Sequence, residues 1–335
     1  MVGMEQKIQE FYTRVKSAKS IVIMGHKNPD GDSLCSVLAL AHLIERNFGV
    51  VPVCLYDGNL PDSLDNVPLR SRIKFFERVD LSVPFDLAIV VDYGNPVHIG
   101  GGRPAVDKAG FVIEIDHHKN DNTIGDLCIN DENVPATAVL VYKIMQAGNL
   151  QMDACTADLL ALGILTDTGN FKFVRNGEVM RIMADLVDFG VNIRDLIELM
   201  NNKPRKAVEI EARAAANAEF FYHGRLALAT IPKKDYKYLD GRGETVLNLL
   251  GQIQGVDYIV LMKEQKAEQI GLSIRSRKKP INHIAEVLGG GGHERAAGAI
   301  VRDSLENVRA HFLMVSSISQ SHAVSMWECP KTPTI

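Results

Sequence analysis

Short apolar runs alternate with amphipathic segments through the first two hundred residues. Apolar residues recur at helical spacing over residues 4–18 and again over 33–48. Near-continuous apolar runs predict four buried strands, at Ile21–Met24, Val50–Tyr56, Asp86–Asp92 and Phe111–Asp116. From 135 to about 220 the spacing predicts helices. Strands apolar on both faces that alternate with helices are typical of a parallel sheet covered on both sides, so we predict an α/β fold.

The pattern changes near residues 202–222. A helix is predicted to end there, and the Ala-rich segment 209–219 predicts a linker helix. Strand-like runs then follow, at 225–231, 258–262 and 269–275, with helices between them. With 335 residues the chain is too long for one typical core. We therefore predict a first domain over 1–201, a linker helix over 202–222, a smaller α/β domain over 223–315, and a weakly packed or disordered tail over 316–335.

Composition narrows the function classes. The net charge of -4 argues against a protein coated in nucleic acid, but it allows a nucleotide in a local basic pocket. The five cysteines show no Cys-x-x-Cys spacing, which disfavours a disulfide framework or a structural zinc site and favours a reducing cytosol. The N-terminus lacks an apolar signal core, and no apolar run approaches membrane-spanning length. We expect a cytoplasmic protein without a membrane partner.

Acidic and histidine residues follow most of the apolar runs. Ligands gather beyond the carboxyl ends of the strands in a parallel α/β sheet. The residues expected there are His26, Asp92, Asp116, His117 and His118. Asp30 and Asp32 lie in the loop that leads into the next helix, and Asp167 follows an apolar stretch that is expected to be a helix. Each one alone has an ordinary explanation, since Asp30 and Asp32 both suit helix caps. Together they predict a site for two divalent cations, which would balance the clustered carboxylates and activate water beside a phosphate. Imidazole ligands favour manganese or iron over magnesium.

Ordered motifs give the chain a resemblance to a known family. His26-x-x-Pro29-Asp30-x-Asp32, Asp92, Asp116-His117-His118 and Asp167-Thr168-Gly169 resemble the four motifs of the DHH phosphoesterases. The segment Gly289–Gly298 resembles the glycine-rich signature of the DHHA1 domain. The chain is thus similar to the DHH/DHHA1 nano-RNases and 3',5'-bisphosphate nucleotidases, with a cleft between the two domains.

The resemblance implies roles for individual residues. It implies His26, Asp30 and Asp92 at one cation, and Asp32, Asp92, His117 and Asp167 at the other, with Asp92 bridging. It implies that Asp116 orients the histidines and that His118 faces the phosphate. The chain departs from the family pattern at Cys35, where glycine is usual, and at His98, where arginine is common; Arg103 is near in sequence.

The glycine-rich end predicts an anion-binding lobe. Gly290, Gly291 and Gly292 allow backbone N–H groups to approach a phosphate, and residues 271–300 carry five basic and two acidic residues. Arg275 ends a predicted strand and suits bidentate phosphate binding, although a surface salt bridge is the alternative. The resemblance adds His293 to this substrate pocket.

We expect hydrolysis of short RNA to mononucleotides and of 3'-phosphoadenosine 5'-phosphate to AMP, with two divalent cations, Mn²⁺ preferred and Mg²⁺ or another ion as alternatives. Long or duplex nucleic acid would not fit a closing cleft. The alternatives are a linear or cyclic dinucleotide phosphodiesterase, a RecJ-like single-strand DNA exonuclease, a pyrophosphatase and a non-catalytic nucleotide-binding module. A homodimer is left open.

Overall fold

The computed structural model describes residues 3–58, 60, 64–119, 122–174, 176–239 and 243–322, with the backbone alone at 293 and 317–322. The strands are β1 Ile21–Met24, β2 Val53–Tyr56, β3 Ile73–Phe75, β4 Leu87–Val91, β5 Val112–Asp116, β6 Leu127–Asn130, β7 Glu219–Phe221, β8 Leu226–Ile231, β9 Tyr258–Lys266, β10 Gln269–Ser276, β11 Gly291–His293 and β12 Ala296–Val301. The helices are α1 Met4–Ser17, α2 Gly31–Phe48, α3 Arg103–Asp107, α4 Thr137–Ala147, α5 Ala154–Asp167, α6 Glu178–Asp188, α7 Ile193–Asn201, α8 Arg205–Ala216, α9 Lys233–Tyr236, α10 Glu244–Gly251, α11 Asn282–Val287 and α12 Leu305–His322.

The chain divides into two compact units, residues 1–202 and 203–335. The first contains a six-stranded sheet in the order β3-β2-β1-β4-β5-β6, and every pairing is parallel. Successive side chains of β1 enter two different apolar layers: Ile21 and Ile23 face one, while Val22 and Met24 face the other. Burial on both faces explains the continuous apolar runs and confirms the predicted α/β fold.

The second unit contains a mixed sheet in the order β11-β12-β10-β9-β8-β7. Its β8–β9 pair is parallel, and its other pairs are antiparallel. Helices α11 and α12 pack on one face, and α8 and α10 pack on the other. The helix predicted as a linker packs in this unit through Ile210 and Ala214, both buried beside β8.

The segment predicted as a tail, residues 316–335, begins within a helix. Helix α12 continues to His322, past the start of the predicted tail, and Ser316 is buried with its Oγ 3.1 Å from Tyr222 Oη. Residues 323–335 lie outside the described residues. Within the described part of the chain, no helix combines the length and apolar character that crossing a membrane requires.

Candidate metal centre

The predicted ligands meet at the carboxyl edge of the parallel sheet. The strand order reverses between β1 and β4, and ligands in open α/β sheets bind at such a switch point. His26 lies two residues beyond β1, Asp92 follows β4 directly, and Asp116 ends β5. The loop after β1 leads into α2, which carries Asp32, and the last residue of α5 is Asp167.

Asp92 lies at the centre of the cluster. It adopts φ 51°, a left-handed conformation that Asp tolerates better than most residues, and it is 2% exposed. Its Oδ2 lies 3.9 Å from His26 Nε2, whereas its Oδ1 lies 3.5 Å from His117 Nε2. Because its two oxygens face different histidines, this carboxylate has the arrangement that bridging two cations requires.

His26, Asp30 and Asp92 form the first potential ligand group, and their ligand atoms lie within 4.8 Å of one another. His26 Nε2 is 3.8 Å from Asp30 Oδ1, and His26 Nδ1 is 2.9 Å from the carbonyl of Lys27. Asp30 is also the N-cap of α2, since its Oδ1 accepts a hydrogen bond from Ser33 N at 3.0 Å. Asp30 is therefore both a helix cap, as one explanation of the sequence predicted, and a member of this potential ligand group.

Asp32, His117 and Asp167 form the second group. His117 Nε2 lies 3.1 Å from Asp167 Oδ2. Asp32 is fully buried and accepts hydrogen bonds from Thr137 N at 2.5 Å and Ala138 N at 3.0 Å, at the start of α4. It therefore caps α4, not the helix to which it belongs. A third grouping joins Asp92 with His117 and His118.

The chemistry of these donors fits divalent cations. His117 Nε2 is buried without a hydrogen-bond partner while two carboxylates lie within 3.5 Å. Burial, and then the charges of Asp92 and Asp167, raise the pKa of Asp32. Burial opposes the charge on His117, yet Asp167 and Asp92 outweigh it and raise its pKa to about 12. Likewise, Asp30 and Asp92 overcome burial and raise the pKa of His26 to about 9. Concentrated negative charge is what a cation would neutralise.

Asp116 holds His118 in place. Burial raises its pKa, but hydrogen bonds from His118 outweigh burial and hold the pKa of Asp116 below its usual range. Its Oδ1 lies 2.8 Å from His118 Nδ1, and its Oδ2 accepts from the backbone N–H groups of Tyr93 and Gly94 at 3.1 and 2.8 Å. The other histidine is positioned differently, with His117 Nδ1 at 3.3 Å from the carbonyl of Val134. Asp116 thus orients one histidine, not both.

Three further residues shape the site without a signal in the sequence. Thr137 Oγ1 donates to Asp92 Oδ1 at 3.1 Å, and Asn130 Nδ2 donates to the carbonyl of His118 at 2.9 Å. Gly163 in α5 lies where a Cβ would be 2.8 Å from Asp32 Oδ1. Their neighbours in space are distant in sequence, so no motif spacing reveals them.

The two departures from the family pattern have structural explanations. Cys35 is fully buried one turn into α2, and its thiol has a pKa raised by burial and then by the charge of Asp32. It fills core space beneath the site. His98 Nδ1 lies 3.2 Å from the carbonyl of Tyr93, and the His98 carbonyl accepts from Lys27 N at 2.6 Å. His98 thereby ties the loop after β4 to the loop after β1, while Arg103 pairs with Asp107 at 2.6 Å.

In the second unit, the predicted substrate glycines lie on or next to the edge strand β11, whereas Arg275 lies on the inner strand β10. Arg275 pairs with Glu244 at 3.1 Å. Gly291–His293 forms β11, so the run is partly strand, not loop. A Cβ at Gly290 would be 2.0 Å from the carbonyl of Gly298, and one at Gly292 would be 2.6 Å from that of Ala296. These two glycines permit close pairing with β12, whereas a Cβ at Gly291 would have no such neighbour within 4 Å. The His293 side chain lies outside the described atoms.

Family models match both units. The DHH family, N-terminal domain, matches residues 20–164, and the DHHA1 domain matches residues 227–316. The chain belongs to the DHH/DHHA1 phosphoesterases, which are phosphoester hydrolases.

Individual relatives cover most of the chain. It is 29% identical to the bifunctional oligoribonuclease and PAP phosphatase NrnA of Thermus thermophilus, over 84% of each protein. It is 27% identical to a probable protein of the same description from Streptococcus mutans, over 88% of this chain and 93% of that one. The structure of an exopolyphosphatase-related protein from Bacteroides fragilis superposes with a TM-score of 0.87 at 23% identity, over 95% of this chain and 97% of that one. This last likeness concerns the fold.

Proposed function

We propose that the chain hydrolyses short oligoribonucleotides to mononucleotides, and 3'-phosphoadenosine 5'-phosphate to AMP, with two divalent cations, preferably Mn²⁺. The observation that carries the proposal is the position of Asp92, whose two oxygens face the His26 and His117 groups separately. The names of the relatives from Thermus thermophilus and Streptococcus mutans supply the substrate class.

Each of the two ligand groups would bind one cation. His26 and Asp30 would hold one cation, Asp32, His117 and Asp167 would hold the other, and Asp92 would touch both. When bound, two divalent cations supply positive charge to the phosphate and activate water for attack. A mixed set of carboxylates and imidazoles suits manganese better than the all-oxygen sites typical of magnesium.

His118 supplies the proton in this proposal. Its Nδ1 is engaged by Asp116, which fixes the orientation of the ring. Burial opposes the protonated form, but the hydrogen bond that His118 donates to Asp116 outweighs it and raises the pKa of His118 above its ordinary value. A protonated imidazole can donate to the departing ribose oxygen. Asp116 acts through His118 by fixing its orientation. We further propose that residues of the second unit contribute to substrate binding, namely Arg275, Gly290, Gly291, Gly292 and His293.

A turnover panel tests the proposal. Purified protein with Mn²⁺ would be offered 3'-phosphoadenosine 5'-phosphate, RNA dinucleotides, longer RNA, single-stranded DNA, cyclic dinucleotides and pyrophosphate. We expect RNA dinucleotides and 3'-phosphoadenosine 5'-phosphate to be the preferred substrates. A preference for DNA, cyclic dinucleotides or pyrophosphate would contradict the substrate assignment and identify the alternative.

Variants test the metal centre in the same panel. Asp32→Ala and His117→Ala should abolish turnover while retaining the circular dichroism of the folded protein. Asp188→Ala and His311→Ala are matched controls at exposed positions and should keep full activity. Full activity of Asp32→Ala or His117→Ala would overturn the ligand assignment.

A further inference from the structure

A strained turn follows the ligand Asp167. Helix α5 ends at Asp167, and the next residues reverse direction with three consecutive left-handed backbones: Gly169 at φ 57°, Asn170 at φ 57° and Phe171 at φ 69°. Glycine and asparagine adopt this conformation readily, but a bulky aromatic residue does so only where its surroundings hold it there. Such outliers concentrate at functional sites.

Hydrogen bonds attach this turn to the helix that carries Asp167. Thr168 is fully buried, and its Oγ1 donates to the carbonyl of Ile164 at 2.6 Å while accepting from Phe171 N at 3.1 Å. Asn170 N donates to the carbonyl of Leu165 at 2.8 Å, and Phe173 N donates to that of Thr168 at 3.0 Å. The position of Phe173 is therefore tied to the metal centre through a short, bonded segment.

The side chains of the turn point in two directions. Phe171 and Val174 pack against the core of the first unit. Phe173, in contrast, is 57% exposed, and Lys172 beside it is exposed as well. The Phe173 ring lies against Gly169, where a Cβ would be 2.9 Å from its Cε2, and the Lys172 ammonium is 5.4 Å from the ring centroid. Gly169 is only two residues, at most about 7 Å of chain, from Asp167.

We infer that Phe173 is a stacking surface for a nucleobase of the substrate and that Lys172 contributes positive charge to the adjoining phosphate. This inference rests on the proposed function. An isolated exposed aromatic residue needs no explanation, but this one is held outward by a strained turn beside a metal ligand. Stacking on an aromatic ring accepts any base, as a hydrolase of mixed short RNA requires. Pyrophosphate has no base and gains nothing from the contact.

A double comparison of protein and substrate tests this inference. The proteins are wild type, Phe173→Ala, Phe173→Leu, Phe173→Tyr and, as a control at another exposed aromatic residue of the same unit, Phe189→Ala. The substrates are an RNA dinucleotide and two versions of it, each with one base replaced by an abasic ribose. We expect Phe173→Ala to raise KM for the intact dinucleotide about tenfold or more. Phe173→Leu should have a KM close to that of Phe173→Ala, whereas Phe173→Tyr should have a KM close to that of wild type.

Removing the stacked base from the substrate should raise the KM of the wild-type protein by a similar factor. The KM of Phe173→Ala should change little. Equal losses in both proteins would overturn the inference, because the residue and the base would then act independently. Phe189→Ala should behave as wild type. Failure of the proposed function would give a different result, because the wild-type protein itself would not hydrolyse the intact dinucleotide. That result would also overturn the stacking role.

Discussion

Gly163 in α5 packs so closely on Asp32 in α2 that a Cβ at position 163 would lie 2.8 Å from Asp32 Oδ1 and 2.8 Å from the Cβ of Ala138. The glycine thus sets the distance between a candidate ligand carboxylate and the helix behind it. Because Asp32 is fully buried and bonded to the start of α4, it has no free direction in which to move.

Gly163→Ala should therefore displace Asp32. We expect a loss of about 1–3 kcal/mol in the free energy of unfolding and a fall in metal affinity. Denaturant unfolding and Mn²⁺ titration measure the two effects. Gly251→Ala is the control, since a Cβ there would meet only Ile259 at 3.8 Å within 4 Å. Unchanged Mn²⁺ affinity in Gly163→Ala would show that the carboxylate tolerates the contact.

The proposed bridging role of Asp92 predicts a difference in metal stoichiometry. Wild type should bind two Mn²⁺ ions, His26→Ala should keep one, and Asp92→Ala should bind neither tightly, because Asp92 faces both ligand groups. Equilibrium dialysis with metal analysis counts the bound ions. If Asp92→Ala and His26→Ala lost the same single ion, Asp92 would serve one site only.

The hydroxyl group of Thr137 should stabilise the folded protein. Thr137→Val keeps the shape but removes the donor to the buried Asp92 carboxylate, which should cost about 1–3 kcal/mol of stability in metal-free protein. Chemical denaturation with a chelator present measures the change. Thr137→Ser retains the hydroxyl group and lacks only the methyl group, so it should be less destabilising than Thr137→Val. Wild-type stability of Thr137→Val would show that the hydroxyl group contributes nothing.

Asp116→Asn should impair the reaction without removing metal. Asparagine in one orientation turns its NH₂ toward the Tyr93 and Gly94 N–H donors, and in the other it donates to His118 Nδ1. Either arrangement disturbs the orientation of the imidazole, so we expect turnover to fall about 100-fold or more. Steady-state kinetics together with Mn²⁺ counting checks this. A loss of bound metal would place Asp116 among the ligands instead.

The N-cap of α5 predicts an acid-dependent stability. Burial opposes the charged form of Asp153, but hydrogen bonds from Thr156 and His42 outweigh it and lower its pKa to about 2. A folded-state pKa below the unfolded value of about 3.9 stabilises the protein above pH 4, and this contribution is lost as the pH falls through about 2. Thermal unfolding of wild type and Asp153→Asn should differ at pH 6 and converge toward pH 2. A constant difference would contradict the charge contribution.

The central elements and the meeting of the acidic and histidine residues at one sheet edge could be predicted, because buried parallel strands leave a visible apolar run and these residues follow the ends of the strands. The edge strands β3 and β6 could not, since they span only three and four residues and β6 alternates between buried and half-buried positions. The partners of Asp32 in α4 and the pairing of Arg275 with Glu244 join distant segments. Spacing alone likewise does not reveal that the glycine run pairs with β12.

The glycine run has an evolutionary consequence. Gly290 and Gly292 are required by the approach of the β12 backbone, whereas Gly291 has open space around it. Natural variation at 291 would therefore leave the strand pair intact, while variation at either neighbour would disrupt it. A lineage could alter the chemistry presented at this sheet edge by one substitution, without first acquiring a compensating change elsewhere in the domain.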